Sequence, residues 1–338
     1  MVSQISSEKY ILCCDWGTSS FRLRLVAIQD YKIIAEFLSS TGVASLFKAW
    51  KEQNIQDRFD FYADFLKLAI QDLAISSSFK LDHIPLIVSG MASSSLGMEE
   101  LPYACIPFDT SGKNTSFRMF KNFNGSGSLL LVSGVKSEED VMRGEEAQLI
   151  GLIKLNEISI EESLNLVFVF PGTHSKHIFV QNGFIADFQT YMTGELFNIV
   201  KKHSILKDSV LSELTSQMTD QSEIEAFLRG IEVSGRSSVL HNLFTVRTNQ
   251  LFDKFSKNEN LYYLSGLLIG TEVRELKQKE FDHLFICSGK NLFDYYKLAF
   301  NTIFQKENIT FIEPEMIDKA TIAGQIQLFN SQFNSFYE

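Results

Sequence analysis

The sequence predicts an α/β protein built from two duplicated domains, and three observations carry that reading. At residues 10–26 an apolar strand enters a tight polar turn and leaves as a second strand. The same strand–turn–strand pattern returns at residues 166–188, with its small residues in the same order. Helical spacing then dominates residues 196–280, and a further strand ends in Ser288-Gly289. Sustained apolar runs alternating with amphipathic segments point to sheets covered by helices.

Composition sets the limits. A chain of 338 residues suggests about two domains. Hydrophobic residues make up 45% and charged residues 21%, enough for large cores, and 30 Phe favour thick apolar packing. A net charge of −10 argues against a general partner of nucleic acid or anionic membrane. It does not argue against a nucleotide, because a few local donors suffice for phosphate. No apolar stretch reaches membrane-spanning length, and residues 1–9 lack a signal-peptide pattern. Cys13, Cys14, Cys105 and Cys287 lie mostly in apolar strand-like runs, as buried reduced thiols of a cytoplasmic protein would.

In the first hairpin, Tyr10-Ile11-Leu12-Cys13-Cys14 reads as a buried strand. Asp15-Trp16-Gly17-Thr18-Ser19-Ser20 is the turn, and Phe21-Arg22-Leu23-Arg24-Leu25-Val26 alternates as a strand with two unlike faces. Gly17 permits close backbone approach, and successive N–H groups in such a turn form an anion nest suited to nucleotide phosphates. A plain hairpin turn uses the same residue types. Ile33–Leu38 is the next strand, followed by Thr41-Gly42-Val43. Phe59, Phe61, Phe65, Leu68, Ala69 and Leu73 predict an amphipathic helix over 58–75. Ile84–Val88 is a strand running into the small-residue loop Gly90–Gly97, which is either a ligand loop or a connector. Leu129–Val132 is another strand, ending in Ser133-Gly134. Arg143-Gly144-Glu145-Glu146 then opens a helix. Carboxylates there suit the helix dipole, or one of them serves as a general base with Arg143 nearby for an anion. Adjacent carboxylates diverge on a helix, so these two do not form a paired dyad.

The second copy follows. Leu166–Phe170 is an apolar strand, Pro171-Gly172-Thr173-His174-Ser175 a turn, and Lys176–Val180 and Phe184–Phe188 return strands. Gly17-Thr18-x-Ser20 matches Gly172-Thr173-x-Ser175, Ala35-Glu36-Phe37 matches Ala186-Asp187-Phe188, and Thr41-Gly42 matches Thr193-Gly194. Ordered matches of this kind indicate duplication. Ser222-Glu223 resembles a helix cap, Tyr262–Val273 a buried helix, Leu284–Cys287 a strand, Tyr295–Phe304 a helix, and Ala320–Phe329 the final helix. No G-x-x-x-x-G-K-[ST] occurs, which excludes a Walker-type loop. His174 and His177 fall on opposite faces of a strand, which argues against a shared transition metal.

Together these segments resemble the actin/hexokinase/heat-shock ATPase superfamily and, within it, the 2-dehydro-3-deoxygalactonokinase family. The blocks that carry the resemblance are Asp15-Trp16-Gly17-Thr18-Ser19-Ser20-x-Arg22, Val141–Gly151, Pro171-Gly172-Thr173-His174-Ser175-Lys176, Thr193-Gly194-Glu195-Leu196 and Leu264–Val273. The resemblance implies two ribonuclease H-like domains, at 1–160 and 161–338, with a cleft between them. It also implies phosphorylation of 2-dehydro-3-deoxy-D-galactonate by ATP at the terminal (6-) hydroxyl. By motif, Gly17, Thr18 and Ser19 form the first phosphate loop and Gly172, Thr173 and His174 the second. Asp15 holds Mg²⁺ through water, and Ser288 and Gly289 lie at the adenosine. Glu145 takes the place of the base, with Glu146 beside it. Gly90 and Ser94 belong to the substrate-side loop, where Met98 stands in place of an expected Trp. Arg22 and Arg143 are the candidate cations for a substrate carboxylate, with a strand-face salt bridge the other reading of Arg22. The resemblance leaves three other readings open: a kinase of another sugar or sugar acid, a sugar-sensing regulator, and an actin-type filament protein. A homo-oligomer is compatible with each.

Overall fold

A computed structural model describes residues 3–4, 9–53, 57–155, 158, 160, 164–211, 213–214, 218–304 and 308–333. The N-terminal stretch read for a targeting signal therefore lies largely outside the described residues. The chain divides into two compact units. One comprises Met1–Ile160, Gly183–Ala186 and Asp318–Glu338; the other comprises Glu161–Asn182 and Asp187–Ile317.

In the first unit, β1 (Tyr10–Trp16), β2 (Phe21–Ala27) and β3 (Ile33–Ser39) form an antiparallel run. Helix α1 (Val43–Gln53) and the long α2 (Arg58–Ser77) follow. β4 (Leu86–Gly90) lies parallel to β1, and β6 (Gly127–Val132) lies parallel to β4, with β5 (Phe117–Asn124) antiparallel at the edge. The sheet order is β3-β2-β1-β4-β6-β5. Helix α3 (Glu145–Leu155) closes this stretch.

β1 is covered on both faces, so Ile11, Leu12, Cys13 and Cys14 are all buried. The Asp57 side chain caps α2 by accepting from the Phe59 amide at 2.8 Å. The stripe that α2 buries is Tyr62, Ala63, Leu66, Ala69, Ile70 and Leu73. Leu68, included in the apolar spacing read from sequence, is instead 60% exposed. Cys105 departs from the expected burial as well. It follows buried Ala104 in a short strand, and the period-two alternation turns it outward.

The second unit repeats the plan. β7 (Asn165–Phe170), β8 (Ser175–Gln181) and β9 (Phe184–Tyr191), whose first three residues group with the first unit, come first. Helices α4 (Thr193–His203), α5 (Gln221–Ser234), α6 (Val239–Leu251) and α7 (Lys257–Glu275) follow. Then come β10 (His283–Cys287), α8 (Lys290–Ile303) and β11 (Ile309–Ile312). β10 runs parallel to β7 and β11 parallel to β10, giving the order β11-β10-β7-β8-β9, with the two-residue strand Phe108–Asp109 paired antiparallel to Phe184 and Ile185 at the far edge. Both units thus set a three-strand run beside two strands parallel to the first. This is a ribonuclease H-like arrangement present twice.

Helix α7 is buried around nearly its whole circumference from Asn260 to Val273. Gly266 and Gly270 permit this, since a Cβ on Gly266 would lie 2.1 Å from the Phe227 carbonyl oxygen of α5. The cap of α5 is set by Asp220 rather than Ser222: Glu223 reaches back to the Asp220 amide at 3.3 Å. The last helix, α9 (Pro314–Phe333), begins earlier than its apolar pattern suggests, with Pro at its first position. From Asp318 onward it belongs to the first unit, whereas a division at 160/161 assigns it to the second. Close packing explains the grouping, because a Cβ on Gly324 would lie 1.8 Å from the Ala147 carbonyl oxygen of α3.

Candidate active site

In the first unit, the C-terminal ends of parallel strands β1, β4 and β6 bring the predicted residues together. α/β sheets place ligands at such ends. Asp15 is the next-to-last residue of β1, and its side chain is 24% exposed. Its Oδ2 lies 3.4 Å from Arg22 Nη1 across the β1–β2 pair, and Arg22 also meets Asp318 at 3.6 Å. Burial pushes the Asp15 carboxyl up, against the pull of the Arg22 and Arg24 guanidinium groups.

The turn after β1 is closed by the Gly17 amide donating to the Ser20 carbonyl at 2.8 Å, leaving Thr18 and Ser19 exposed at its tip. The first turn of α1 seats directly on it. The Val43 and Ala44 amides donate to the Gly17 and Thr18 carbonyls at 3.0 and 3.1 Å. Gly42 makes this approach possible, since a Cβ there would lie 2.3 Å from the Thr18 oxygen.

Gly90 ends β4 with φ +86°, and a Cβ on it would lie 2.8 Å from the Trp16 oxygen and 3.4 Å from Asp15 Oδ1. Glycine at this position therefore keeps the space beside Asp15 open. A Cβ on Gly144, φ +109°, would come within 3.8 Å of Gly90 Cα, so the Arg143–Glu146 segment adjoins the same place. Ser94 is buried and its hydroxyl donates to the Met91 carbonyl at 2.8 Å, so it supports the loop from within. Met98 is buried in the core.

Glu145 and Glu146 diverge as adjacent helical residues must. Glu145 is half-buried, and its Oε2 accepts from the Arg143 amide at 3.1 Å. Glu146 is buried and turned onto the Gly144 amide. Burial, reinforced by the Glu145 charge, pushes its carboxyl up to about 8. The Arg143 guanidinium donates to Ser93 Oγ at 2.6 Å, Ser133 Oγ at 3.1 Å and the Leu101 carbonyl at 3.4 Å, and it lies 3.9 Å from the Tyr103 ring centroid. It thereby ties the loops after β4 and β6 together.

Sequence reasoning missed Gln325 and Asp318. The buried Gln325 amide donates to the Cys14 carbonyl and to Ser89 Oγ, both at 2.8 Å, fixing the ends of β1 and β4 from α9. Asp318 pairs with Arg22 and Arg24. Both act across separations that leave no local pattern.

In the second unit, Gly172 is half-buried, and Thr173 and His174 are exposed at the turn between β7 and β8. A Cβ on Gly194 would lie 2.5 Å from the Gly172 oxygen, so α4 seats on this turn as α1 does on the first. The Glu195 amide donates to the Thr173 carbonyl at 3.0 Å, and its carboxylate meets His174 Nε2. Ser288 is buried, while Gly289 is exposed as the cap of α8, with open space where a Cβ would stand.

The donor set fits a magnesium ion bound largely through water. Among the described residues no group of three or more His, Cys, Asp or Glu could hold a metal by itself. Mg²⁺ typically takes one or two carboxylates and keeps its remaining waters and substrate oxygens. Asp15, with space kept beside it by Gly90, would supply such a carboxylate. Among the described residues no helix is long and apolar enough to cross a membrane.

Comparison with known proteins shows the family. The family model for 2-keto-3-deoxy-galactonokinase matches residues 15–327. A Rhizobium meliloti (strain 1021) protein named a probable 2-dehydro-3-deoxygalactonokinase is 30% identical over 276 residues, covering 80% of this chain and 81% of its own. The Escherichia coli (strain K12) 2-dehydro-3-deoxygalactonokinase is 27% identical over 238 residues, covering 68% and 74%. The crystal structure of a candidate 2-dehydro-3-deoxygalactonokinase from Sinorhizobium meliloti superposes with a TM-score of 0.73 at 25% identity, covering 95% of this chain and 99% of that one. With motif blocks, a duplicated fold and a family match that runs from Asp15 nearly to the end of α9, the chain belongs to the 2-keto-3-deoxy-galactonokinase family of phosphotransferases.

Proposed function

We propose that this protein transfers the γ-phosphoryl group of ATP to the terminal (6-) hydroxyl of 2-dehydro-3-deoxy-D-galactonate. The observation that carries the reading is the half-buried Glu145 at the start of α3, following Gly144, which adjoins Gly90 next to Asp15, in a chain of this family. In the reaction the hydroxyl oxygen bonds to the γ-phosphorus as the bond to the β–γ bridging oxygen breaks, and ADP leaves. Glu145 accepts the hydroxyl proton. Proton acceptance of this kind contributes roughly 10²–10⁴-fold.

Phosphoryl transfer depends mainly on positioning and charge neutralisation. The turns at Gly17–Ser19 and Gly172–His174 hold phosphate oxygens, and Ser288-Gly289 adjoins the adenosine. Asp15 would hold a Mg²⁺ ion, which when bound would neutralise phosphate charge. Arg22, 42% exposed, reaches for the substrate carboxylate. Gly90 and Ser94 form the acceptor-side wall. Arg143, the second candidate cation, also shapes that wall through Ser93, Ser133 and Tyr103. The free cysteines fit a reducing cytoplasm.

Phosphorus NMR of the product tests the acceptor position. A phosphomonoester coupled to the C6 protons is expected. A signal coupled to any other carbon's proton would overturn the assignment.

A further inference from the structure

Helix α7 carries a carboxylate to which the proposed mechanism gives no role. Glu272 is 2% exposed. Four donors converge on it: Ser175 Oγ at 2.6 Å and His177 Nε2 at 3.1 Å on Oε1, and Tyr296 Oη at 2.8 Å together with Thr193 Oγ1 on Oε2. Burial pushes this carboxyl up, but the hydrogen bonds from His177, Ser175 and Thr193 outweigh it and hold the group below its ordinary range. A buried carboxylate persists only when paired and hydrogen-bonded in this way.

Where the donors come from gives the carboxylate its meaning. Ser175 directly follows Gly172-Thr173-His174, and Thr193 opens α4. The first turn of α4 shapes that loop through three contacts. Gly194 lies against the Gly172 oxygen and Thr173 Cα, the Glu195 amide donates to Thr173, and the Glu195 carboxylate meets His174. Glu272 therefore grips both flanks of the loop, on one side at Ser175 and on the other through Thr193. The first unit reaches a comparable arrangement with different atoms. There Gly42 lies against Thr18, and Tyr62 of α2 places its hydroxyl 3.0 Å from the carbonyl of Val43 at the start of α1.

We propose that the Thr193–Glu272 hydrogen bond is a latch that pre-shapes the second phosphate loop for nucleotide, which makes Thr193 and Glu272 positioning residues. This rests on the reading of Gly172–His174 as a phosphate loop. Pre-organised donors bind more tightly because less ordering remains to be done on binding.

The test pairs Thr193→Val, which keeps shape but loses the hydroxyl, with Thr193→Ser, which restores it. ATP affinity is read by calorimetry, KM for ATP and for the acceptor by steady-state kinetics, and folding by thermal melting. Thr193→Val is expected to weaken ATP binding and raise its KM by about tenfold, the order of one lost hydrogen bond to a charged group. The acceptor KM should stay within about twofold, and Thr193→Ser should recover most of the affinity. Glu272→Gln, which sets an amide donor against hydroxyl donors, should give the same split with a larger loss. Equal ATP affinity for wild type and folded Thr193→Val, or a Thr193→Ser as weak as Thr193→Val, would overturn the latch alone. A wild type that binds no nucleotide would overturn the phosphate-loop reading and the latch with it.

Discussion

Glu146 turns its carboxylate onto the amide of Gly144, with its two oxygens 2.9 and 2.8 Å from that one nitrogen. The contact faces Glu146 inward at the start of α3 and leaves Glu145 the more accessible of the pair. Glu145→Gln should therefore lower kcat by about 10²–10⁴-fold, the usual worth of a general base, while ATP affinity stays within about twofold. Steady-state rates and nucleotide titration check this. Full activity would transfer the base role to Glu146.

The same burial makes a stability prediction. The Glu146 carboxyl is raised from 4.5 to about 8, so the folded protein binds a proton more tightly there than the unfolded chain does. Its contribution to stability is then fully present below pH 4.5 and is lost as pH rises through 8. Glu146→Gln should flatten the fall in melting temperature between pH 5 and 8 relative to wild type. Parallel melting curves for the two proteins across that range would contradict it.

Gly172 separates ligand effects from folding effects. A Cβ there meets nothing nearer than the His174 oxygen at 3.9 Å. Gly172→Val should therefore melt within a few degrees of wild type yet lose ATP binding by about tenfold or more, because it fills space meant for phosphate. Gly17→Val should behave likewise, with its Cβ 3.0 Å from the flexible Ser20 hydroxyl. Unchanged ATP affinity in folded variants would sink the phosphate-loop reading.

Arg22 is the exposed cation beside Asp15. Arg22→Ala should raise the acceptor KM by about 10–100-fold, as loss of a charge-assisted hydrogen bond does, with a smaller effect on ATP. Arg22→Lys should recover only part of this, because an ammonium cannot form the planar fork. An acceptor KM unchanged in Arg22→Ala would remove Arg22 from the substrate site.

Much of this architecture could be read in the chain because local chemistry dictated it. β1 and β7 are apolar runs closed by Gly-Thr turns, and the matched Thr41-Gly42 and Thr193-Gly194 pairs mark where each following helix seats on its turn. Strand β5 was not legible. Phe-Arg-Met-Phe-Lys-Asn-Phe-Asn at a sheet edge keeps most of its side chains half-exposed and so has no clean alternation. The buried helix read at Tyr262–Val273 includes Glu272, but residue type could not reveal the four donors from distant segments that make its burial tolerable. Gln325 and Asp318 were hidden by distance along the chain. Arg143, read as a ligand for an anion, has a second role that distance hid: it braces two loops through Ser93, Leu101, Ser133 and Tyr103.

The most direct test of the central claim is ADP release by the wild-type protein with Mg-ATP, measured across a panel of 2-keto-3-deoxy sugar acids and simple sugars. Turnover stimulated by 2-dehydro-3-deoxy-D-galactonate well above every other acceptor is the predicted result. Preference for a different acceptor, or ATP turnover indifferent to all of them, would contradict it.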